Sequence, residues 1–231
     1  MTKNIENRIL YEDNHLIAIN KLPGELSQGD KTGDDSLIEI IKSFLKKRDN
    51  KPGNVYLGLV HRLDRPTSGI LVFAKTSKAL TRMNELFKTR EVQKIYWAIT
   101  EGKADIKSET LEHYLKKNPK NNKVTVYTQP TPEAKKAVLG YNVVGNLDHY
   151  SLFEIELHTG RSHQIRSQLS FIGHTIKGDL KYGAKRSNPD GGISLHARKI
   201  SFIHPVKKEE INIIAAPPND TLWKECLKFA D

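Results

Sequence analysis

Nine residues, His61-Arg62-Leu63-Asp64-Arg65-Pro66-Thr67-Ser68-Gly69, place one carboxylate between two arginines in a turn punctuated by proline and glycine. Two apolar runs of β character flank it, Val55-Tyr56-Leu57-Gly58-Leu59-Val60 before and Ile70-Leu71-Val72-Phe73-Ala74 after. Short apolar runs bounded by turn residues read as buried strands. A rigid scaffold therefore presents the loop, and Asp64 sits at its tip. Any fold for this chain must bury both runs while leaving the polar turn between them accessible.

Composition narrows the partners. Lysine and arginine total 37 against 27 acidic residues, a formal net charge of +10. Such an excess suits a polyanion, nucleic acid before an anionic membrane surface. At 231 residues with 37% hydrophobic residues, the chain can bury a real core and is not of disordered composition. The longest clean apolar run is Ile70 to Ala74, and Met1-Thr2-Lys3-Asn4 holds no apolar secretory core. A soluble, cytoplasmic protein is expected. The single cysteine, Cys226, excludes an internal disulfide and a cysteine-based zinc site. It reads as inert packing in the amphipathic tail Thr221–Leu227.

Along the chain, Ile9 to Lys21 reads as two short strands around an Asp13-Asn14 turn, ending at the Pro23-Gly24 break. Asp34 or Ser36 can cap a helix running to about Lys47, with Leu37, Ile40, Ile41 and Phe44 at helical spacing. Ser77 can cap another that carries Leu80, Met83 and Phe87. Lys94–Thr100 and Leu152–Leu157 read as strands, and Lys116–Thr131 as a lysine-rich hairpin or insertion around Val124–Tyr127. After Thr159-Gly160-Arg161, Ser162 can cap a helix with Ile165, Leu169 and Ile172 on its core stripe and Gly173 as its stop. Ile193–His204 reads as further strand. No repeat and no linker separating two domains is visible, so one domain over residues 1–231 is expected.

A lone aspartate is often a helix cap or half of a structural ion pair. Here Arg62, Arg65 and a more distant arginine would favour the ionised carboxylate, which can serve as nucleophile or base. Thr67 and Ser68 can bond loop backbone and shape the turn. Arg161, Ser162 and His163 at a helix start could gather a phosphate, although His163 could equally be structural.

His61 to Gly69 followed by Ile70-Leu71-Val72-Phe73-Ala74-Lys75-Thr76 resembles the signature of the RluA family of RNA pseudouridine synthases. A second block, Leu157-His158-Thr159-Gly160-Arg161-Ser162-His163-Gln164-Ile165-Arg166, then Gly178-Asp179-Leu180-Lys181-Tyr182-Gly183, resembles the same family. Weaker similarity covers Asn20–Gly24, Lys94-Ile95-Tyr96 and Leu195-His196-Ala197. The likeness spans roughly residues 9 to 205.

The resemblance implies an α+β domain built on a long, bent, mostly antiparallel sheet, with helices and loops around a basic cleft that contains Asp64. It implies isomerisation of uridine in tRNA or large-subunit rRNA, without metal or cofactor. Asp64 takes the essential aspartate position, Arg166 the position that ion-pairs with it, and Tyr96 the position that stacks on the base. For Tyr96, an ordinary strand aromatic is the alternative. Catalysis needs a flipped-out uridine, and Arg62 could fill the vacated stack, a scaffold salt bridge being the alternative. His61, Arg62, Arg65, Thr67, Arg161 and His163 are the candidate RNA-binding residues. The chain departs from the family at Ser167 and Gln168, where an apolar residue and histidine are usual, and at Thr175, where proline is common. Too few residues precede Ile9 for an S4-type RNA-binding domain, so the catalytic domain would recognise RNA itself, as a monomer with no obligatory protein partner.

Two rival readings exist. A catalytically silent RNA-binding or RNA-folding protein of the same fold would carry the same charge, though intact Asp64, Tyr96 and Arg166 argue against it. A carboxylate-dependent glycosidase would need a second acid beside the first, and none stands out.

Overall fold

Strand structure begins at Ile9, as the pattern around Asp13-Asn14 predicts. In a computed structural model of the chain, which describes residues 5–29 and 33–230, β1 (Ile9–Glu12) and β2 (Leu16–Lys21) pair antiparallel. The Asp13 carboxylate closes their turn by accepting the N–H groups of His15 and Leu16, each at 2.8 Å. The segment Met1–Asn4, read above for a secretory core, lies outside the described residues. Among the described residues, no helix is long and apolar enough to cross a membrane.

Helix α1 (Leu37–Arg48) follows Ser36 and buries Leu37, Ile41 and Leu45. The expected strand at Val55–Val60 shrinks to β3 (Gly58–Leu59). Gly58 pairs with Ala74, the last residue of β4, so Val55–Leu57 lie beyond the ladder, and at its other end the Val72 N–H donates to the His61 ring at 3.2 Å. Strand β4 (Ser68–Ala74) pairs with β2 from Leu16↔Ala74 to Lys21↔Gly69 and with β3 at Gly58↔Ala74 and Leu59↔Phe73. All seven of its residues are buried, as its unbroken apolar run requires. Helix α2 (Ser77–Thr89) is capped by Thr76, whose hydroxyl accepts Ala79 N–H, rather than by Ser77.

Strand β5 (Gln93–Glu101) opens a run of antiparallel ladders with β6 (Ser108–Asn118), β7 (Lys123–Tyr127), β8 (Lys135–Asn146) and β9 (Tyr150–Leu157). Their pairing order is β5-β9-β8-β6-β7, so the lysine-rich stretch is a true hairpin at the end of the row. Helix α3 (Gln164–Phe171) starts one residue later than Ser162 would set it. Its N-cap is His163 at φ +49°, with no side-chain cap. It stops as expected at Gly173, φ +90°, where Gly173 N–H bonds Ser170 and His174 N–H bonds Leu169, a closure that needs a left-handed residue. That stop leaves Ile172 outside the helix. Strands β10 (Leu195–Ile203) and β11 (Glu210–Ile214) pair antiparallel, and α4 (Thr221–Leu227) ends the chain.

Two compact units divide these elements. One holds residues up to Val92 together with Arg198–Ala216, the other Gln93–Ala197 with Pro217 onward. The chain passes from one to the other at Val92–Gln93, inside β10 at Ala197–Arg198, and again at Ala216–Pro217. The first unit's core joins Leu16, Ala18, Ile70, Val72 and Ala74 to Ala79 and Met83 of α2 and to Ile200, Phe202, Ile211 and Ile213. Each such burial contributes about 1.5–3 kcal/mol for the larger side chains. In the second unit, Trp97, Ile99 and Leu152 pack on Trp223 and Cys226 of α4. Cys226 is buried, and burial pushes its thiol up to about 11, so it packs as a small hydrophobe. The architecture is α+β, as expected, with antiparallel ladders supplying most of the order.

Candidate active site

The first unit builds the Asp64 loop from below. Lys21, at the end of β2, is fully buried, and its ammonium donates to the carbonyls of Leu22 at 3.1 Å, Arg65 at 2.9 Å and Thr67 at 2.6 Å. Three donors meet three acceptors, so an ammonium matches the site in a way no neutral amine can. Burial pushes its pKa down to about 7, while the negative charges of Glu25 and Asp64 act in the opposite direction. From the other side, Ser27 Oγ donates to Leu63 O and accepts Leu63 N–H. Asp64 O accepts Thr67 N–H at 3.0 Å, closing the turn across Arg65-Pro66. Gly69, φ +110°, makes the bend into β4 that a side chain would strain. The loop is thus fixed at Leu63, Asp64, Arg65 and Thr67, with the Asp64 side chain half-buried.

The flanking residues divide by role. Arg65 is exposed and turns its guanidinium to Gly24 O at 3.0 Å and Asp34 at 2.7 Å. Arg62 is exposed, with no hydrogen bond or ion pair among the described residues. His61, expected among the RNA-binding residues, faces inward instead. Its ring accepts Val72 N–H and stacks on Phe87 at 5.2 Å. Thr67 is buried as well, with its carbonyl on Lys21. The cation placed next to the loop from within is Lys21, which no reading of charge spacing singles out. The available signal was a lysine closing an apolar strand just before Leu22-Pro23-Gly24.

In the second unit, Tyr96 is buried in β5 opposite Ile155. Its neighbour Trp97 packs toward α4 and donates to Glu154 at 3.0 Å. Arg166 is buried on the first turn of α3, and Asp179 holds it by two bonds, Nε to Oδ2 at 2.7 Å and Nη2 to Oδ1 at 2.8 Å. Tyr182 places its ring 5.2 Å from the same guanidinium. Neither Asp179 nor Tyr182 carried a role in the sequence reading, although both stand in its second block. A carboxylate in a glycine-rich loop gives no hint that it turns inward.

Helix α3 is buried on every side from Gln164 to Leu169, which forces each polar residue to find a partner. Gln164 accepts from Thr159 Oγ1 at 2.7 Å and Arg161 N–H at 3.0 Å and donates to Val138 O. Ser167 Oγ bonds Gln164 O, and Gln168 Nε2 meets His113 Nδ1 at 3.0 Å. Gln168 keeps its Oε1 buried without a hydrogen-bond partner among the described residues, whereas Ser167 is satisfied within the scaffold. Thr175 likewise supplies a carbonyl to Glu101 N–H. Of the phosphate candidates, Arg161 is exposed and bonds Lys136 O at 3.0 Å, whereas His163 is buried against Tyr182. Among the described residues, no group of three or more metal-ligating side chains is assembled.

The family description "RNA pseudouridylate synthase" matches residues 15–171. The ribosomal large subunit pseudouridine synthase C of Buchnera aphidicola subsp. Baizongia pistaciae is 33% identical over 230 residues, covering 96% of this chain and 70% of that protein. The synthase C of Vibrio cholerae serotype O1 is 33% identical over 217 residues, covering 91% of this chain and 66% of that protein. The chain thus spans roughly two thirds of the length of these relatives. Among solved structures, human RNA pseudouridylate synthase domain containing 4 superposes with a TM-score of 0.80 at 26% identity, over 99% of this chain and 94% of that one. A family match over most of the chain, two relatives at one-third identity and a shared fold agree with both sequence blocks: the chain belongs to the RluA family of RNA pseudouridine synthases.

Proposed function

We propose that the chain isomerises a uridine of large-subunit ribosomal RNA, with Asp64 as the essential carboxylate and Arg166 and Tyr96 serving it. The observation that carries this reading is the Lys21 clamp on the Asp64 loop. A buried ammonium that ties the Arg65 and Thr67 carbonyls of the loop to the Leu22 carbonyl holds a half-buried carboxylate in place beside an all-buried strand. Preorganisation of this kind removes the reorganisation a mobile loop would need during reaction.

In the reaction the N1–C1′ bond breaks, the uracil turns, and C5 bonds to C1′. The C5 proton is lost to a base, and N1 regains a proton. Asp64 either attacks C1′ or removes the 2′ hydrogen to form a glycal, and both routes require its ionised form. Arg166 would hold that charge, in a plane fixed by Asp179. Tyr96 would stack on the uracil and assist loss of the C5 proton. The uridine must leave its helix, at a cost of a few kcal/mol, roughly, and Arg62 would fill the gap. The names of the relatives support ribosomal RNA over transfer RNA. Action in the cytoplasm, as a monomer, is part of the same proposal.

Uridine-5-tritiated large-subunit rRNA and tRNA transcripts, incubated with the wild type and with Asp64→Asn, test the proposal. Tritium release from rRNA that falls to background in the variant is the expected result. Equal release from both proteins would remove Asp64 from the mechanism, and RNA binding without release by the wild type would favour the silent RNA-binding protein.

A further inference from the structure

Tyr182 joins three parts of the second unit that the proposed reaction leaves unconnected. Its hydroxyl accepts Val124 N–H at 2.9 Å, in β7, and meets His163 Nδ1 at 2.9 Å, at the left-handed start of α3. Its ring faces the Arg166 guanidinium at 5.2 Å and the Lys123 ammonium at 5.7 Å. Its carbonyl accepts Ser170 Oγ at 2.7 Å. The side chain is 6% exposed and shares a core with Leu115, Val124 and Ala137, so it has little room to move alone.

The β6–β7 hairpin around it is cationic. Lys117, Lys120 and Lys123 are exposed on it, and Lys181, one residue before Tyr182, reaches the Asn122 carbonyl at 3.2 Å. Phosphates drawn to these ammonium groups would load a hairpin whose backbone is bonded to the Tyr182 hydroxyl. The chain of contacts is short: hairpin amide, tyrosine hydroxyl and ring, guanidinium. Asp179 fixes the plane of Arg166 from its edge, whereas Tyr182 meets it at the ring, so displacement of the hairpin reaches the arginine through the tyrosine.

We propose that Tyr182 is a positioning residue that couples docking of the RNA backbone on the β6–β7 hairpin to the orientation of Arg166. This rests on the reading above, in which Arg166 serves Asp64. A merely structural tyrosine would affect folding and leave the rate on bound RNA alone. A coupling tyrosine makes the rate at saturating RNA depend on hairpin lysines that never touch the reacting atoms.

Single-turnover tritium release at saturating RNA, with RNA Kd measured in parallel, separates these. Tyr182→Phe keeps the ring and removes the hydroxyl. It should slow the bound-state reaction on the order of tenfold, with Kd changed less than about twofold. Lys123→Met, an exposed change that does not threaten folding, should slow it in the same direction. Lys120→Ala should lower the saturated rate of the wild type but leave that of Tyr182→Phe unchanged, the signature of a shared path. The inference is overturned if Tyr182→Phe and Lys123→Met both retain the wild-type rate, or if the Lys120 and Tyr182 effects simply multiply. Should Tyr182→Phe fail to fold, Lys123→Met takes its place in the cycle with Lys120→Ala under the same criteria. Failure of the underlying reading looks different, because Asp64→Asn would then still release tritium.

Discussion

Arg166 and Asp179 meet through two parallel hydrogen bonds with side chains only 6% and 1% exposed, a forked pair sealed inside the second unit. The fork sets the guanidinium plane as a point charge could not. Asp179→Asn should therefore lower unfolding free energy by about 3–5 kcal/mol, because it breaks the charged fork of a buried pair. Urea unfolding measures this, and a loss below about 1 kcal/mol would mean that the pair is not desolvated in solution.

Lys21 links stability to pH. Burial lowers its pKa from the ordinary 10.5 to about 7, so the unfolded chain binds more protons there between these values. Stability contributed at this position therefore rises with pH across that window, and the cost of burying the ammonium is fully present below about 7. Lys21→Met removes the titration. The stability of wild type minus variant should widen as pH rises from 7 toward 10, by up to about 1.4 kcal/mol per pH unit. Parallel stability curves would contradict the burial of a titrating amine.

Arg62 is exposed, with no hydrogen bond or ion pair among the described residues, so truncating it removes no contact seen there. Arg62→Ala should leave the melting temperature within about 1 °C while lowering RNA affinity or single-turnover rate roughly tenfold. Unchanged affinity and rate together would exclude Arg62 as the residue that fills the vacated stack.

His61 should behave in the opposite way. Its ring accepts the Val72 N–H within an all-buried strand and stacks on Phe87. His61→Ala leaves that amide unsatisfied and should cost about 1–3 kcal/mol of stability, with RNA affinity of the folded protein unchanged. A weakened affinity at full stability would return His61 to the RNA-binding residues.

The strands around Asp13-Asn14, the buried run Ile70–Ala74, the lysine-rich hairpin and the stop at Gly173 were legible because each rests on local rules: periodicity, turn chemistry and backbone conformation. The caps at Ser77 and Ser162 were misplaced by one residue, and Val55–Val60 was read too long. Thr76 caps α2 through a local bond from Ala79 N–H and His163 starts α3 through its left-handed backbone, whereas the His61 ring meets the Val72 N–H only once the chain has folded back.

The family blocks identify Asp64, Tyr96 and Arg166 as candidates from sequence alone, together with the basic charge that suits RNA. Which residues hold the first and last of these in place was decided by tertiary structure. Lys21 lies 43 positions before Asp64 (64 − 21), and Asp179 lies 13 after Arg166 (179 − 166). Neither separation corresponds to a strand or helix repeat. A buried charge is selected by the carbonyls or carboxylate that surround it in three dimensions, and those neighbours exist only once the chain has closed.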